Sequence, residues 1–310
     1  MQNIRSENVA LKRALIQPDG ADTARTEATK TENGRQRRWW WCTAGCVAGC
    51  IAATIILATA GEDGGQLVGR NTDVGAYDRV HNDVLLAPDT MIFVAYGQSN
   101  ADCCGEAGYT VKHPSNVLQF FEGNVYRMRE PMLGAYCRGG CIWSRVGDML
   151  VDVERRRPTG RNISVVFVAA AVPGFAIADL VPRTTNAGRY FESVGIQLPT
   201  ATVLFQQGEA DALRRTPSAA YSAMLAAIGA AAPGGRFQVG VGTRCGDVLP
   251  YPPIAGVQRR YGNGPDLDAL GDAFRRPDRC HFTTRGLTEA AARWTAAVAP
   301  PYPTTPDSTM

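Results

Sequence analysis

Thr90-Met91-Ile92-Phe93-Val94-Ala95-Tyr96-Gly97-Gln98-Ser99-Asn100 is the stretch on which the reading of this chain turns. Seven uncharged residues, mostly apolar and rich in branched and aromatic side chains, run into a glycine and then into polar residues. The run is too short for a buried helix. It lacks the polar alternation of a half-exposed strand, so it reads as a strand covered on both faces, as in parallel sheets. Three later segments repeat the pattern: Ile163 to Ala171, Thr202 to Phe205 and Phe237 to Val241. Helical spacing fills the gaps. Ile142 to Glu154 carries apolar residues at Ile142, Val146, Met149, Leu150 and Val153. Pro217 to Ala231 is rich in alanine and ends at Pro233-Gly234-Gly235, and Thr284 to Val298 forms the last helix. Asn116 to Met128 reads as a hairpin around Glu122-Gly123-Asn124. Strands alternating with helices predict an α/β sandwich with a mainly parallel sheet over residues 89–298. There is no internal repeat.

Composition agrees with a folded body. Of 310 residues, 45% are apolar and 20% charged, which excludes a largely disordered, collagen-like or coiled-coil chain. The net charge of +3 is confined to one end. Residues 1–38 hold eight basic and five acidic residues, and the remainder is balanced. The body therefore carries no cationic surplus to recruit nucleic acid.

Residues 1–38 are polar without an apolar period and read as a disordered tail. Trp39 to Ala60 follows without a charge. As a helix its 22 residues would reach about 33 Å, against roughly 30 Å for a bilayer core. Arg35, Arg37 and Arg38 precede it, Glu62 and Asp63 follow it, and Trp39, Trp40 and Trp41 sit at the expected interface. The reading is one transmembrane signal anchor at 39–60, with the tail cytoplasmic and the rest periplasmic or extracellular. Ala58-Thr59-Ala60 offers a signal-peptidase alternative, after which the domain would be secreted. The 38 residues before the span are long for that. Val47-Ala48-Gly49-Cys50 resembles a lipobox, but the chain stays apolar after the cysteine. Residues 61–88, rich in Gly, Asp and Asn, read as a linker, and 299–310 as a C-terminal tail.

Nine cysteines divide into three in the span and six beyond it: Cys103, Cys104, Cys137, Cys141, Cys245 and Cys280. Six cysteines in an oxidising compartment predict disulfides, with 15 pairings open. Free buried thiols are the plain alternative. Zinc is the weaker reading, since no CxxC occurs.

Active groups of open α/β sheets lie in the loops beyond the carboxyl ends of the strands. Ser99 stands there after the first strand, with Gly97 allowing a tight turn; helix capping is the competing role for such a serine. Of three histidines, His281 has Asp278 three residues before it, close enough to orient the imidazole and leave its other nitrogen to accept a proton. Gln206-Gln207-Gly208-Glu209-Ala210-Asp211 ends the third strand, where an amide could donate to an oxyanion.

Taken together, Gly97-Gln98-Ser99-Asn100, Gln207-Gly208-Glu209-Ala210-Asp211 and Asp278-x-x-His281-Phe282 resemble the SGNH-hydrolase superfamily. Within it they are similar to the carbohydrate acetylesterase branch that includes sialate O-acetylesterase and acetyl xylan esterases. Pro173-Gly174-Phe175-Ala176-Ile177-Ala178-Asp179 resembles that branch's Gly-rich segment. The resemblance implies a three-layer α/β/α, flavodoxin-like fold and hydrolysis of acetyl esters on sugars. It assigns Ser99 as nucleophile, His281 as base and Asp278 as its orienter. The oxyanion hole would use the Ser99 N–H, the Gly140 N–H and the Gln207 side chain, with Gln98 and Glu209 beside them as oxyanion- or substrate-binding residues. No metal or organic cofactor is called for. The partners expected are an acetylated glycan, the membrane and, with the anchor in mind, polysaccharide-secretion machinery. An O-acetyltransferase acting on an exported polysaccharide would share the acetyl-enzyme. A catalytically idle glycan-binding or assembly subunit would need no intact Ser99, Asp278 and His281 set.

Overall fold

The computed structural model describes residues 70–158, 160–181, 201–248 and 250–299. The tail, the expected span at 39–60 and residues 300–310 lie outside them. No helix among the described residues is long and apolar enough to cross a membrane.

Seven strands form one sheet: β1 (Arg79–Val80), β2 (Thr90–Gly97), β3 (Val117–Phe121), β4 (Asn124–Arg127), β5 (Ser164–Ala169), β6 (Ala201–Gln206) and β7 (Phe237–Gly240). Their order is β1-β4-β3-β5-β2-β6-β7. The pairs β3·β5, β5·β2, β2·β6 and β6·β7 are parallel, and the hairpin β3·β4 and the edge pair β4·β1 are antiparallel. The sheet is thus mainly parallel, as the apolar runs predict.

The helices are α1 (Trp143–Arg156), α2 (Glu209–Arg214), α3 (Ser218–Ala230), α4 (Pro252–Tyr261) and α5 (Thr284–Val298), with a further helical turn at 177–181. The period-2 geometry of a strand sends neighbouring side chains of β2 to opposite faces. Phe93 and Ala95 pack with Phe167 against Trp143, Val146 and Leu150 of α1 and Leu287, Ala290 and Trp294 of α5. Ile92, Val94 and Tyr96 pack with Val168, Val203 and Phe205 against Tyr221, Leu225 and Ile228 of α3 and Ile254 and Val257 of α4. Both faces of the sheet are covered, which makes three layers and explains why β2 carries no polar alternation.

The sheet corrects two expectations. Residues 70–88, read as part of a linker, belong to the folded body. β1 pairs with β4, and the buried Asn71 amide donates to Tyr77 Oη and to the carbonyls of Pro131 and Met132. Polar side chains hold this segment, so it has no apolar signature. Residues 246–277, to which the sequence reading gives no helix or strand, contain α4. Pro252 and Pro253 open that helix, Gly256 sits within it and the buried face includes Gln258, so the apolar period of its sequence is broken.

β2 has β5 on one side and β6 on the other, with Thr90↔Ser164 through Ala95↔Ala169 and Ile92↔Ala201 through Gly97↔Gln206 in register. The chain leaves β2 first toward one half of the sheet and later toward the other. That reversal opens a crevice at the carboxyl end of β2, where ligands of open α/β sheets bind.

Candidate active site

Gly97 makes the turn out of β2. Its φ is +138°, and a Cβ there would stand 2.0 Å from the Gln206 carbonyl oxygen, so a side chain is excluded twice over. Residues 98–102 then form one helical turn. The Ala101 and Asp102 N–H groups donate to the Gln98 carbonyl at 2.8 and 3.0 Å. The first N–H groups of such a turn have no internal partner, and no described residue accepts from the Ser99 or Asn100 N–H. Ser99 is 6% exposed, at the mouth of the crevice.

The third loop is locked onto the first. Gln98 Oε1 accepts from the Ala210 N–H at 3.1 Å and from Gln207 Nε2 at 3.3 Å, at the start of α2. Gln98 therefore ties two loops together. Gln207 is fully buried. Its Nε2 donates to Asp211 Oδ2, Gln98 Oε1 and the Phe175 carbonyl, and its Oε1 accepts from Tyr221 Oη at 3.0 Å. With both ends of the amide engaged, Gln207 has no donor left for an oxyanion. Glu209 is 1% exposed and accepts from Asn100 Nδ2 at 2.7 Å. Burial pushes its carboxyl upward, against the hydrogen bond from Asn100 and the positive charge of Arg275.

The loop carrying His281 is local in design. Asp278 Oδ1 accepts from the Cys280 and His281 N–H groups, each at 2.9 Å, and Asp278 Oδ2 faces His281 Nδ1 at 2.8 Å. Burial alone would raise the Asp278 carboxyl. The hydrogen bond and charge of His281, with the two backbone N–H groups, outweigh it and hold the group well below the ordinary carboxylate range. An ionised Asp278 on Nδ1 leaves Nε2 of His281 as the nitrogen open to a proton. Two bonds seat this loop against the first. Asn100 Nδ2 donates to the Cys280 carbonyl at 3.1 Å, and the Glu106 N–H donates to the Phe282 carbonyl at 3.0 Å. His281 is flanked by these two ties. No hydrogen bond joins Ser99 and His281 among the described contacts; catalytic bonds commonly close only around substrate.

Gly140 is used differently from the sequence expectation. Its N–H donates to the Gly105 carbonyl and its carbonyl accepts from the Gly105 N–H, so it has no free donor. A Cβ on Gly140 would meet the Ala107 carbonyl at 2.1 Å; close backbone approach is what demands glycine there. A further backbone donor at the crevice, which the sequence reading did not single out, is Gly174. It lies beyond the carboxyl end of β5, next to β2, in a segment joined to the turn by Val172 N–H donating to the Gly97 carbonyl at 3.0 Å. No described residue accepts from the Gly174 N–H. Its likeness in the Pro173–Asp179 segment was the available signal, but choosing between two glycine segments needs the strand order.

Three disulfides surround the site: Cys103–Cys141, Cys104–Cys137 and Cys245–Cys280. Two bind the segment after Ser99 to the 137–141 loop, and the third holds the residue before His281. Asp102, Cys104 and Cys137 offer atoms within 4.8 Å of one another. The two sulfurs are bonded to each other and present no thiolate to a metal.

No protein-family model matches the chain, and no curated protein matches it. Among solved structures, a protein from Arabidopsis thaliana is 16% identical, with 68% of this chain and 98% of that chain covered and a TM-score of 0.49. A lipase/acylhydrolase from Enterococcus faecalis is 15% identical over 67% of this chain and 94% of its own, with a TM-score of 0.41. A carbohydrate acetylesterase from Xanthomonas citri is 15% identical over 67% of this chain and 55% of its own, with a TM-score of 0.40. Likenesses at these levels carry no weight for function.

Proposed function

We propose that this chain is a serine esterase of the SGNH type that removes O-acetyl groups from a carbohydrate. The observation that carries the reading is the Asp278 Oδ2–His281 Nδ1 pair at 2.8 Å, in a loop tied on both sides of His281 to the segment bearing Ser99. His281 Nε2 takes the Ser99 proton as Oγ attacks the acetyl carbonyl carbon. The carbonyl electron pair moves to oxygen, where the Ser99 and Gly174 N–H groups are the candidate donors. Collapse expels the sugar oxygen, which takes the proton from His281. Water, activated by the same imidazole, then attacks the acetyl-serine and releases acetate. A domain outside the cytoplasm, held by an anchor at 39–60, fits the three disulfides, which persist in oxidising compartments. An acetylated glycan is the proposed substrate, and polysaccharide-secretion machinery is the partner an anchor would suit.

Ser99→Ala tests the assignment. Acetate release from aryl acetates and acetylated xylan should fall to background while circular dichroism stays that of the folded protein. Turnover retained in the folded variant would overturn it. Supplying a glycan acceptor and following the acetyl group distinguishes transfer to sugar from transfer to water.

A further inference from the structure

The buried amide of Asn100 has no part in the chemistry above, yet it links the turn that bears Ser99 both to the third loop and to the loop that bears His281. It is 3% exposed, in the turn that bears Ser99. Its Nδ2 donates to Glu209 Oε1 at 2.7 Å, in the third loop, and to the Cys280 carbonyl at 3.1 Å, one residue before His281. Both neighbours are acceptors, so only the amino end of the amide fits between them. Glu209 is 1% exposed and held in α2, so it is a fixed post. Cys280 is also held from behind, by its disulfide to Cys245 and by Arg275 donating to the same carbonyl.

We propose that Asn100 is a positioning residue: by bridging Glu209 and the Cys280 carbonyl, it sets the separation and angle between Ser99 and His281. Asp278 fixes the rotation and tautomer of the imidazole, but it travels with the same loop and cannot fix that loop relative to the nucleophile. The other tie, from the Glu106 N–H to the Phe282 carbonyl, lies on the outer side of His281 and leaves the inner side to Asn100. Misplacing a general base by about 1 Å costs on the order of 10²-fold in rate without removing any reacting group. The inference rests on the esterase reading.

The test uses the full chain and p-nitrophenyl acetate, with wild type and Ser99→Ala measured beside Asn100→Ala. An aryl phosphonate that releases one nitrophenol per competent serine counts the active sites, so kcat is expressed per site. Asn100→Ala should lower kcat per site at least tenfold and change KM less than threefold. A residue that only supports the fold would lower the number of competent sites and leave kcat per site alone, and that result overturns the proposal. So does kcat within twofold of wild type. Should Asn100→Ala not fold, Asn100→Ser is read by the same criteria, since its shorter hydroxyl cannot span both acceptors. An inactive wild type, or an active Ser99→Ala, removes the esterase reading itself. Wild type active, Ser99→Ala inactive and Asn100→Ala like wild type removes this inference alone.

Discussion

The loop that bears Ser99 and the loop that bears His281 are built in opposite ways. The first is buried throughout: Gln98, Ser99, Asn100 and Asp102 are each 6% exposed or less. Its path is dictated by what surrounds it. The Gln206 carbonyl crowds Gly97, Gln98 Oε1 takes the N–H of Ala210, and Trp143 Nε1 donates to the Ala101 carbonyl. The second is open, with the His281 and Asp278 side chains 26% and 40% exposed. Its shape comes largely from bonds between residues two and three apart, and it meets its surroundings at Cys280, at Phe282 and through the Arg279–Asp247 ion pair. A nucleophile must be aimed from a rigid strand end, while a base must meet solvent and substrate. Substitutions that disturb the backbone path of the buried loop should therefore register as stability, and those in the open loop as rate.

Asp278→Asn should show the largest effect, and it should be almost purely kinetic. The amide oxygen can still accept from the Cys280 and His281 N–H groups, so the turn persists. The amino end facing Nδ1 would hold the wrong tautomer and give no charge to an imidazolium. Replacements of this kind in Ser-His-Asp sites cost on the order of 10⁴ in kcat. Steady-state hydrolysis of an aryl acetate together with thermal melting separates the two quantities. A melting point that falls by many degrees would blur the contrast between the loops, since the aspartate would then also be holding the fold.

Gly97→Ala is the counterpart in the buried loop. The added methyl would stand 2.0 Å from a carbonyl oxygen of a central strand, at a φ of +138° that alanine rarely adopts. Backbone cannot yield as a side chain can, so the β2–β6 register or the turn must move. The expected loss is about 4 kcal/mol or more, at the extreme of single substitutions. It is read as loss of soluble protein or as a shift in denaturant midpoint. A variant that melts near wild type would show that the turn can relax, and would break the claim that packing dictates the path of the nucleophile.

What the sequence could and could not tell follows from the same difference. β2 was legible because burial on both faces removes polar residues from it. The Asp278–His281 pair was legible because three residues is a turn's reach, a local property. Gly174 was not, because Gly139-Gly140 and Pro173-Gly174 look alike until β5 is known to lie beside β2 and the Gly140 N–H is seen to be engaged by Gly105. Gln207 looked like an oxyanion donor because its amide ends the third strand beside the first loop; that Asp211, Phe175 and Gln98 already engage it depends on segments that meet only in the fold. The pairing of the six cysteines was open for the same reason: Cys103 with Cys141 and Cys104 with Cys137 is set by where the 137–141 loop returns, and no spacing rule contains that.

The smallest effect belongs to Asp102, and it gives the buried loop a pH signature opposite in sign to that of the lowered Asp278 in the open one. Burial raises this carboxyl from 3.8 to about 6, although the Cys137, Tyr136 and Cys103 N–H groups pull the other way. Its Oδ1 has no hydrogen-bond partner. A carboxyl raised on folding binds its proton more tightly in the native state, so stability is greatest below the unfolded value near 4 and declines as pH rises to about 6, then levels. The shift corresponds to about 3 kcal/mol at most. Asp102→Asn keeps an acceptor for the Tyr136 and Cys137 N–H groups and never ionises. It should be more stable than wild type by about 1–2 kcal/mol at pH 8, with the advantage shrinking to nothing at pH 4. Urea titrations of both proteins at pH 4, 5, 6 and 8 give that difference free of every other titrating group. A constant difference across the series would mean that folding does not shift the Asp102 carboxyl, whereas a difference still growing above pH 6 would mean that the turn beneath Ser99 keeps the proton at neutral pH.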